Sequence, residues 1–465
     1  RAVINALCLY NKYFDLIVRF FIIMRLINKE NKGGVLMKKL VAFCIAMLTT
    51  ASICTSCAPK EVEQTNETLT VYIDNASKFK LNMAVSLYKT KYPDVDVIVQ
   101  TESESSDMET LDQEQEQLAT ELMSGEGPDV FISKWNAEKM VKEGIYADLE
   151  PFFQADSFDW SSYNTTVMDA GVWDGKRYVI PLEYGIPLLL STEEILDEVG
   201  FDPDNCDDFY GFMEETQKIM DDPNQTRTVF RQSWTMKWFP NLAGIDYLDY
   251  ENESVDLSWD GWEDGLNWCK DNFLEDQGDY QLNDNAGAAA IRDGKCVFEY
   301  GYYNMTQFLS DYGKVKTFGT PALIPIRNVN GGLEARILQS VAVRANSSNL
   351  QNAYNFIKVL LSPELHNACI ENTRELSVLN EANLPVCNNW KLAPALGEGT
   401  YGFTESAELT DKDIQQYLSF INEVDHAYYA NSVLVDEMYP YFYEDVPYEE
   451  ALDDAVKQVE LYLSE

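Results

Sequence analysis

The residues best suited to recognising a ligand are aromatics that gather at turns and strand ends. Among 9 Trp and 27 Tyr, Trp135, Tyr184, Trp234, Trp238, Tyr302 and Tyr303 fall where apolar runs stop or turns are expected. An aromatic ring stacks on the apolar C–H face of a sugar, while carboxylate and amide groups at the rim bind its hydroxyls. Aromatics rimmed by acids therefore suit neutral saccharides. Core packing is the competing role of each ring. For Trp259, Trp262 and Trp268, near the start of an expected helix, packing is the stronger reading.

Other chemistries have little material. The 77 acidic residues make paired carboxylates unavoidable, so their presence does not indicate a glycoside hydrolase. Asp202, Asp204, Asp207 and Asp208 lack the central Gly and closing Glu of a calcium loop and read as a solvated acidic turn. His366 and His426 are the only two histidines, too few for a histidine zinc site and poor material for a Ser-His-Asp triad. No GxxxxGK[ST] occurs, so any ATP hydrolysis would belong to a separate subunit. No cofactor or metal is expected.

The N-terminal stretch reads as processing signals. Residue 1 is Arg, and residues 1–36 look like translated upstream sequence, with Gly33-Gly34-Val35 encodable as a ribosome-binding sequence ahead of Met37. Residues 37–56 have the charged start (Lys38, Lys39), short apolar run and small residues of a secretory signal. Small residues before Cys57 resemble a bacterial lipobox, with Cys54 where Leu is usual, so Cys57 is expected to be acylated. Residues 57–67 would be a polar tether. From Cys57 onward the chain keeps 27 basic and 75 acidic residues, a field that disfavours nucleic acid and anionic membrane surfaces. Cys206, Cys269, Cys296, Cys369 and Cys387 form no CxxC pair and are expected as buried thiols or one incidental bridge.

The elements that must hold the aromatics begin with a strand at 69–73 and a helix carrying Phe79, Met83 and Leu87 on one face. A strand at 95–99 follows, then a helix through Leu111, Leu118 and Leu122. Gly125-Glu126-Gly127-Pro128-Asp129 then turns into the apolar run Val130-Phe131-Ile132. This alternation predicts a parallel, doubly wound sheet, with ligands met beyond the carboxyl ends of its strands, where Trp135 lies. Ala353, Phe356, Ile357, Leu360 and Leu361 form a later helical stripe, as do Leu452, Ala455, Val456, Val459 and Leu463.

In this order the segments FKLNMAVSLYKTKYPDVDVIV, QLATELMSGEGPDVFI and EKMVKEGIYADLEPFF resemble the extracellular solute-binding proteins of ABC importers, the family that includes maltose-binding protein. So do WDGKRYVIPLEYGIPLLL, AAAIRDGKCVFEYGYYN, LQSVAVRANSSNLQNAYNFIKVLLSPELHNA and VPYEEALDDAVKQVELYL. The resemblance implies an α/β fold of the periplasmic-binding-protein type II, with two discontinuous lobes joined by hinge strands. The first lobe is expected at 68–181 plus 302–372 and the second at 182–301 plus 373–465.

It also implies ligand contacts after the first strand (Asp74, Asn75), after the third (Trp135, Asn136), at the first crossing (Glu183, Tyr184) and at the return crossing (Tyr302, Tyr303). Further contacts fall in the segment holding Trp234 and Trp238, with Tyr428 and Tyr429 as additional candidates. The implied role is capture of a saccharide, expected to be an oligosaccharide, by a lipid-anchored monomer on the outer face of the cell membrane that delivers it to permease subunits. The rivals are a binding protein for a cation such as a polyamine, which the negative charge would suit, and a secreted glycoside hydrolase.

Overall fold

The computed structural model describes residues 68–464 apart from 76, 104–107, 134–136, 232, 276–286, 304, 374–375 and 384–406. The expectations for residues 1–67, Cys57 included, and for Trp135 and Asn136 lie outside the described residues. So do those for Cys387 and the Trp234 side chain.

Leu69, Val71 and Ile73 are buried and alternate with half-buried neighbours, which makes β1 (Thr68–Ile73) a strand with one covered face. It pairs in parallel with β2 (Asp96–Thr101) and β3 (Val130–Ile132), through the connecting helices α1 (Lys78–Lys91) and α2 (Met108–Met123). The buried face of α1 is not the expected one. It carries Leu81, Ala84, Val85 and Tyr88, while Phe79 is 44% exposed and Met83 and Leu87 are half-buried. Apolar residues lie on both faces of α1, so their spacing does not choose between them. Tyr88 does, packing edge-on against Phe356 at 5.5 Å and donating its hydroxyl to Asn352 O at 3.2 Å.

Beyond β3 the sheet is mixed rather than parallel. The short α3 (Ala137–Lys142) and α4 (Thr165–Asp169) are followed by a hairpin of β4 (Val172–Trp173) and β5 (Lys176–Arg177), and then by β6 (Val179–Thr192). Next come β7 (Thr228–Phe230), a second hairpin of β8 (Leu248–Asp249) and β9 (Ser254–Val255), β10 (Cys296–Tyr303) and β11 (Pro321–Pro325). They are followed by β12 (Leu333–Val343) and β13 (Val424–Tyr428). The main sheet has the order β2-β1-β3-β12-β6-β10-β7, with β12 antiparallel to both β3 and β6.

All 14 residues of β6 are buried. Its first half pairs with β12, and its second half leaves β12 for β10 and β11. The changeover is at Gly185, where an added Cβ would stand 2.5 Å from Tyr302 O, so only glycine lets the two strands approach there. β6 thus runs from one core into the other.

One core gathers β1, β3, β12, the first half of β6, α1, and the helices α5 (Met305–Val315) and α6 (Leu350–Leu360). The second gathers side chains from Phe201 to Tyr302 with the C-terminal helix Tyr448–Ser464. Residues 376–382 and 409–427, expected with the second lobe, pack in the first core, as do Ala288–Ile291. Asn164 N donates to Val378 O at 2.8 Å, and Phe308 stacks on Tyr417 at 4.3 Å. The described cysteines Cys206, Cys269, Cys296 and Cys369 are free and buried. Among the described residues, no helix is long and apolar enough to cross a membrane.

Candidate functional site

A cleft of about 280 Å3 opens between the two cores. Its first wall is Ala137 and Glu138 at the start of α3, Asp169 at the end of α4, and Trp173 of β4. Its second wall is Asn241 and the segment Gly244–Leu248 with Tyr250. Glu334 of β12 and His426–Asn431 of β13 and beyond form the floor.

Local sequence explains how each wall is held. Asp174 and Gly175 both take positive φ, 51° and 73°, and form the two-residue turn that carries Trp173 at the end of its strand. The Trp173 ring lies 6.0 Å from that of Tyr429 with 28° between the planes. On the other side, Gly244 has φ 72°, and a Cβ there would meet Glu334 Oε1 at 2.8 Å, so glycine brings this turn down onto the floor. Asn431 ties the floor to the second wall. It accepts from the Tyr247 hydroxyl at 3.1 Å, and its own N–H donates to Asn241 Oδ1 at 2.9 Å.

The walls also touch. Lys139 Nζ of α3 donates to Tyr462 O at 2.6 Å and lies 4.2 Å from the Tyr462 ring centre, and Lys142 Nζ meets Glu253 Oε1 at 2.9 Å.

The cleft is electrostatically one-sided. Burial and the facing Asp246 push the Glu138 carboxyl up to about 7, with Asp249 adding to the rise and a hydrogen bond from Trp173 opposing it. Asp246 is likewise raised by burial, against the Leu248 N–H and His426 and with help from Asp249 and Asp256. Glu334 is raised by its burial, opposed by Asn328 and His426 and reinforced by Asp425. Asp169 is compensated, since Arg177 Nη2 donates to it at 3.0 Å.

Glu138 holds its proton more tightly in the folded protein than in the unfolded chain. Its contribution to stability is therefore greatest at low pH and declines as pH rises from the ordinary 4.5 towards about 7. Glu138→Gln is expected to flatten this decline. Thermal midpoints near pH 5 and near pH 8 should differ less in the variant than in the parent. An equal difference in both would remove Glu138 from the account.

The residues expected at the site are dispersed. Tyr184 and Tyr303 are core side chains, 1% and 0% exposed. Tyr184 accepts from Asn164 Nδ2 at 3.2 Å, and burial pushes its phenol up to about 12. Glu183 is buried on β6 opposite Gln339. Trp238 and Tyr302 both contact Arg336, whose guanidinium carbon lies 4.5 and 4.7 Å from their ring centres, and the Tyr428 hydroxyl bonds that of Tyr302 at 2.9 Å.

Asp74 Oδ1 accepts from Ser77 N at 2.7 Å and borders a separate hollow of about 230 Å3 with Tyr72, Phe131 and Tyr146. Asn75 binds Glu102 and Ser103 through its N–H and amide. Of the sequence candidates with described side chains, only Tyr428 and Tyr429 line the cleft. Glu138, Trp173, Asp246, Tyr247, Glu334 and His426 were not anticipated. The Asp174-Gly175 pair after Trp173 is a local hairpin signal that could have drawn attention to that side chain.

The sequence profile of the bacterial extracellular solute-binding proteins matches residues 63–366. No curated protein matches the sequence. Among solved structures, the fold is similar to that of the sugar-binding protein MalE from Xanthomonas citri, at 14% identity and a TM-score of 0.61, over 85% of this chain and 97% of that one. It is also similar to an ABC substrate-binding protein from Listeria monocytogenes in complex with cycloalternan, at 14% identity and 0.57, over 85% and 99%. The GacH receptor of Streptomyces glaucescens aligns at 15% and 0.55, over 86% and 98%. At these identities the likeness is one of fold. With its profile match over most of the two-core body, the chain belongs to the bacterial extracellular solute-binding proteins.

Proposed function

We propose that the protein captures a saccharide, an oligosaccharide in the first instance, between its two lobes and delivers it to the permease of an ABC import system. As an extracellular solute-binding protein it works outside the cytoplasm. The observation that carries the saccharide reading is the cleft itself, lined by the Trp173 and Tyr429 rings together with the carboxyl groups of Glu138, Asp246 and Glu334. Cycloalternan and acarbose, bound by the Listeria and Streptomyces proteins, accord with it.

The mechanism is hinge closure. Ligand binding to both walls favours the arrangement in which they meet, and that arrangement docks on the permease. Acylation at Cys57 would hold a monomer at the membrane surface, and incorporation of labelled palmitate that stops in Cys57→Ser tests it.

A thermal-shift screen against a carbohydrate library tests the ligand class, because a ligand bound only by the folded state raises its apparent stability. A midpoint that no sugar raises overturns the saccharide reading. Closure has its own test. Lys139→Ala removes the contact to Tyr462 O and should weaken the binding of any ligand found by about fivefold, the value of one hydrogen bond near 1 kcal/mol. Calorimetry showing unchanged affinity would mean that this contact does not hold the closed form.

A further inference from the structure

We propose that the cleft selects a ligand bearing a protonated amine, an amino sugar with free ammonium groups in preference to its neutral counterpart. The inference rests on the saccharide reading above and concerns the charge of that saccharide.

The charge balance of the cleft motivates it. Glu138, Asp246 and Glu334 line it from three separate segments of the chain, and among the described residues no lysine or arginine lines it with them. Neutral hydroxyls can bond to carboxylates but leave their charge uncompensated. An ammonium group compensates it and donates up to three hydrogen bonds.

Glu334 is the independent sign of an unfilled demand. Its side chain is 3% exposed, and Oε1 accepts from Asn328 Nδ2 at 2.7 Å. Oε2 has no hydrogen-bond partner and stands 3.9 Å from His426 Nε2. A carboxylate oxygen buried in this way is costly unless a cation approaches it. The rings of Trp173 and Tyr429 supply the second half of ammonium recognition, since aromatic faces attract cations. Glu138 and Asp246 line opposite walls of the cleft, so a cation bound between them would offset their mutual repulsion.

The test is calorimetric titration of the full-length chain with three probes: glucosamine oligomers, the matching N-acetylglucosamine oligomers, and spermidine. The expected result is binding of the glucosamine oligomers at least about tenfold more tightly than the acetylated ones, the lower value for a hydrogen bond to a charged group. Asp246→Asn should weaken binding of the glucosamine oligomers by more than that of the acetylated ones, so that the ratio of the two affinities falls. Equal or tighter binding of the acetylated oligomers overturns the inference and leaves the saccharide reading standing. Binding of spermidine alone overturns the saccharide reading and keeps the ammonium chemistry. Binding of none of the three overturns the inference.

Discussion

Asp129→Asn is expected to destabilise the protein by about 3 kcal/mol, and Asp129→Ala by a similar amount. Asp129 closes the Gly-x-Gly-Pro-Asp turn and is 3% exposed. Its Oδ2 accepts from Thr70 N at 2.9 Å and from Asn349 Nδ2 at 3.1 Å. Its Oδ1 accepts from Ser347 Oγ at 2.6 Å and lies 3.5 Å from Arg344 Nη2. One carboxylate thus joins β1 to the chain that leaves β12, more than 200 residues later. Asn puts an N–H2 where two of these donors point, and Ala leaves them all orphaned in the interior. Urea unfolding measures the loss, with exposed Asp94→Ala as a control that should stay within about 0.5 kcal/mol. Unchanged stability of Asp129→Asn would show that the network is not what fixes this turn.

Trp173→Ala is expected to weaken ligand binding by roughly 30-fold, or about 2 kcal/mol, the usual loss when a central aromatic anchor is truncated. The indole stacks on Tyr429 and lines the cleft beside Glu138. It is half-buried at the end of a two-residue strand, at the margin of a small cluster with Phe131 and Tyr146, so affinity is compared per folded molecule. Tyr184→Phe is the matched comparison. It deletes a hydroxyl whose partner is Asn164 in the first core, so affinity per folded molecule should not change. Calorimetry on both variants separates the roles. Should Tyr184→Phe lose affinity while Trp173→Ala keeps it, the site lies on the crossing strand instead.

What was legible in the sequence was local or serial. The β1-α1-β2-α2-β3 order, the Ala353–Leu361 stripe and the turn ending at Asp129 follow from apolar periodicity and from Gly and Pro placement. The serial pattern of segments identified the family, and with it two lobes and crossing strands. The opposite signal failed where a residue's surroundings come from far along the chain. Every residue of β6 is buried, so no alternation marks Tyr184 as core and not cleft. Tyr303 is hidden in the same way at the end of β10. In α1 both faces are apolar, and only Asn352 and Phe356, brought up by α6, decide which one turns inward.

By itself the sequence determined the element order, the family and a strongly acidic, aromatic composition. The tertiary structure alone decided that Glu138 and Asp246 line one cleft, that Trp173 meets Tyr429, and that Gly244 sits against Glu334. The physical reason is that a cleft between two cores is made of contacts across a hinge. Periodicity reports which face of an element is apolar, and it carries no information about which distant loop will close over that face.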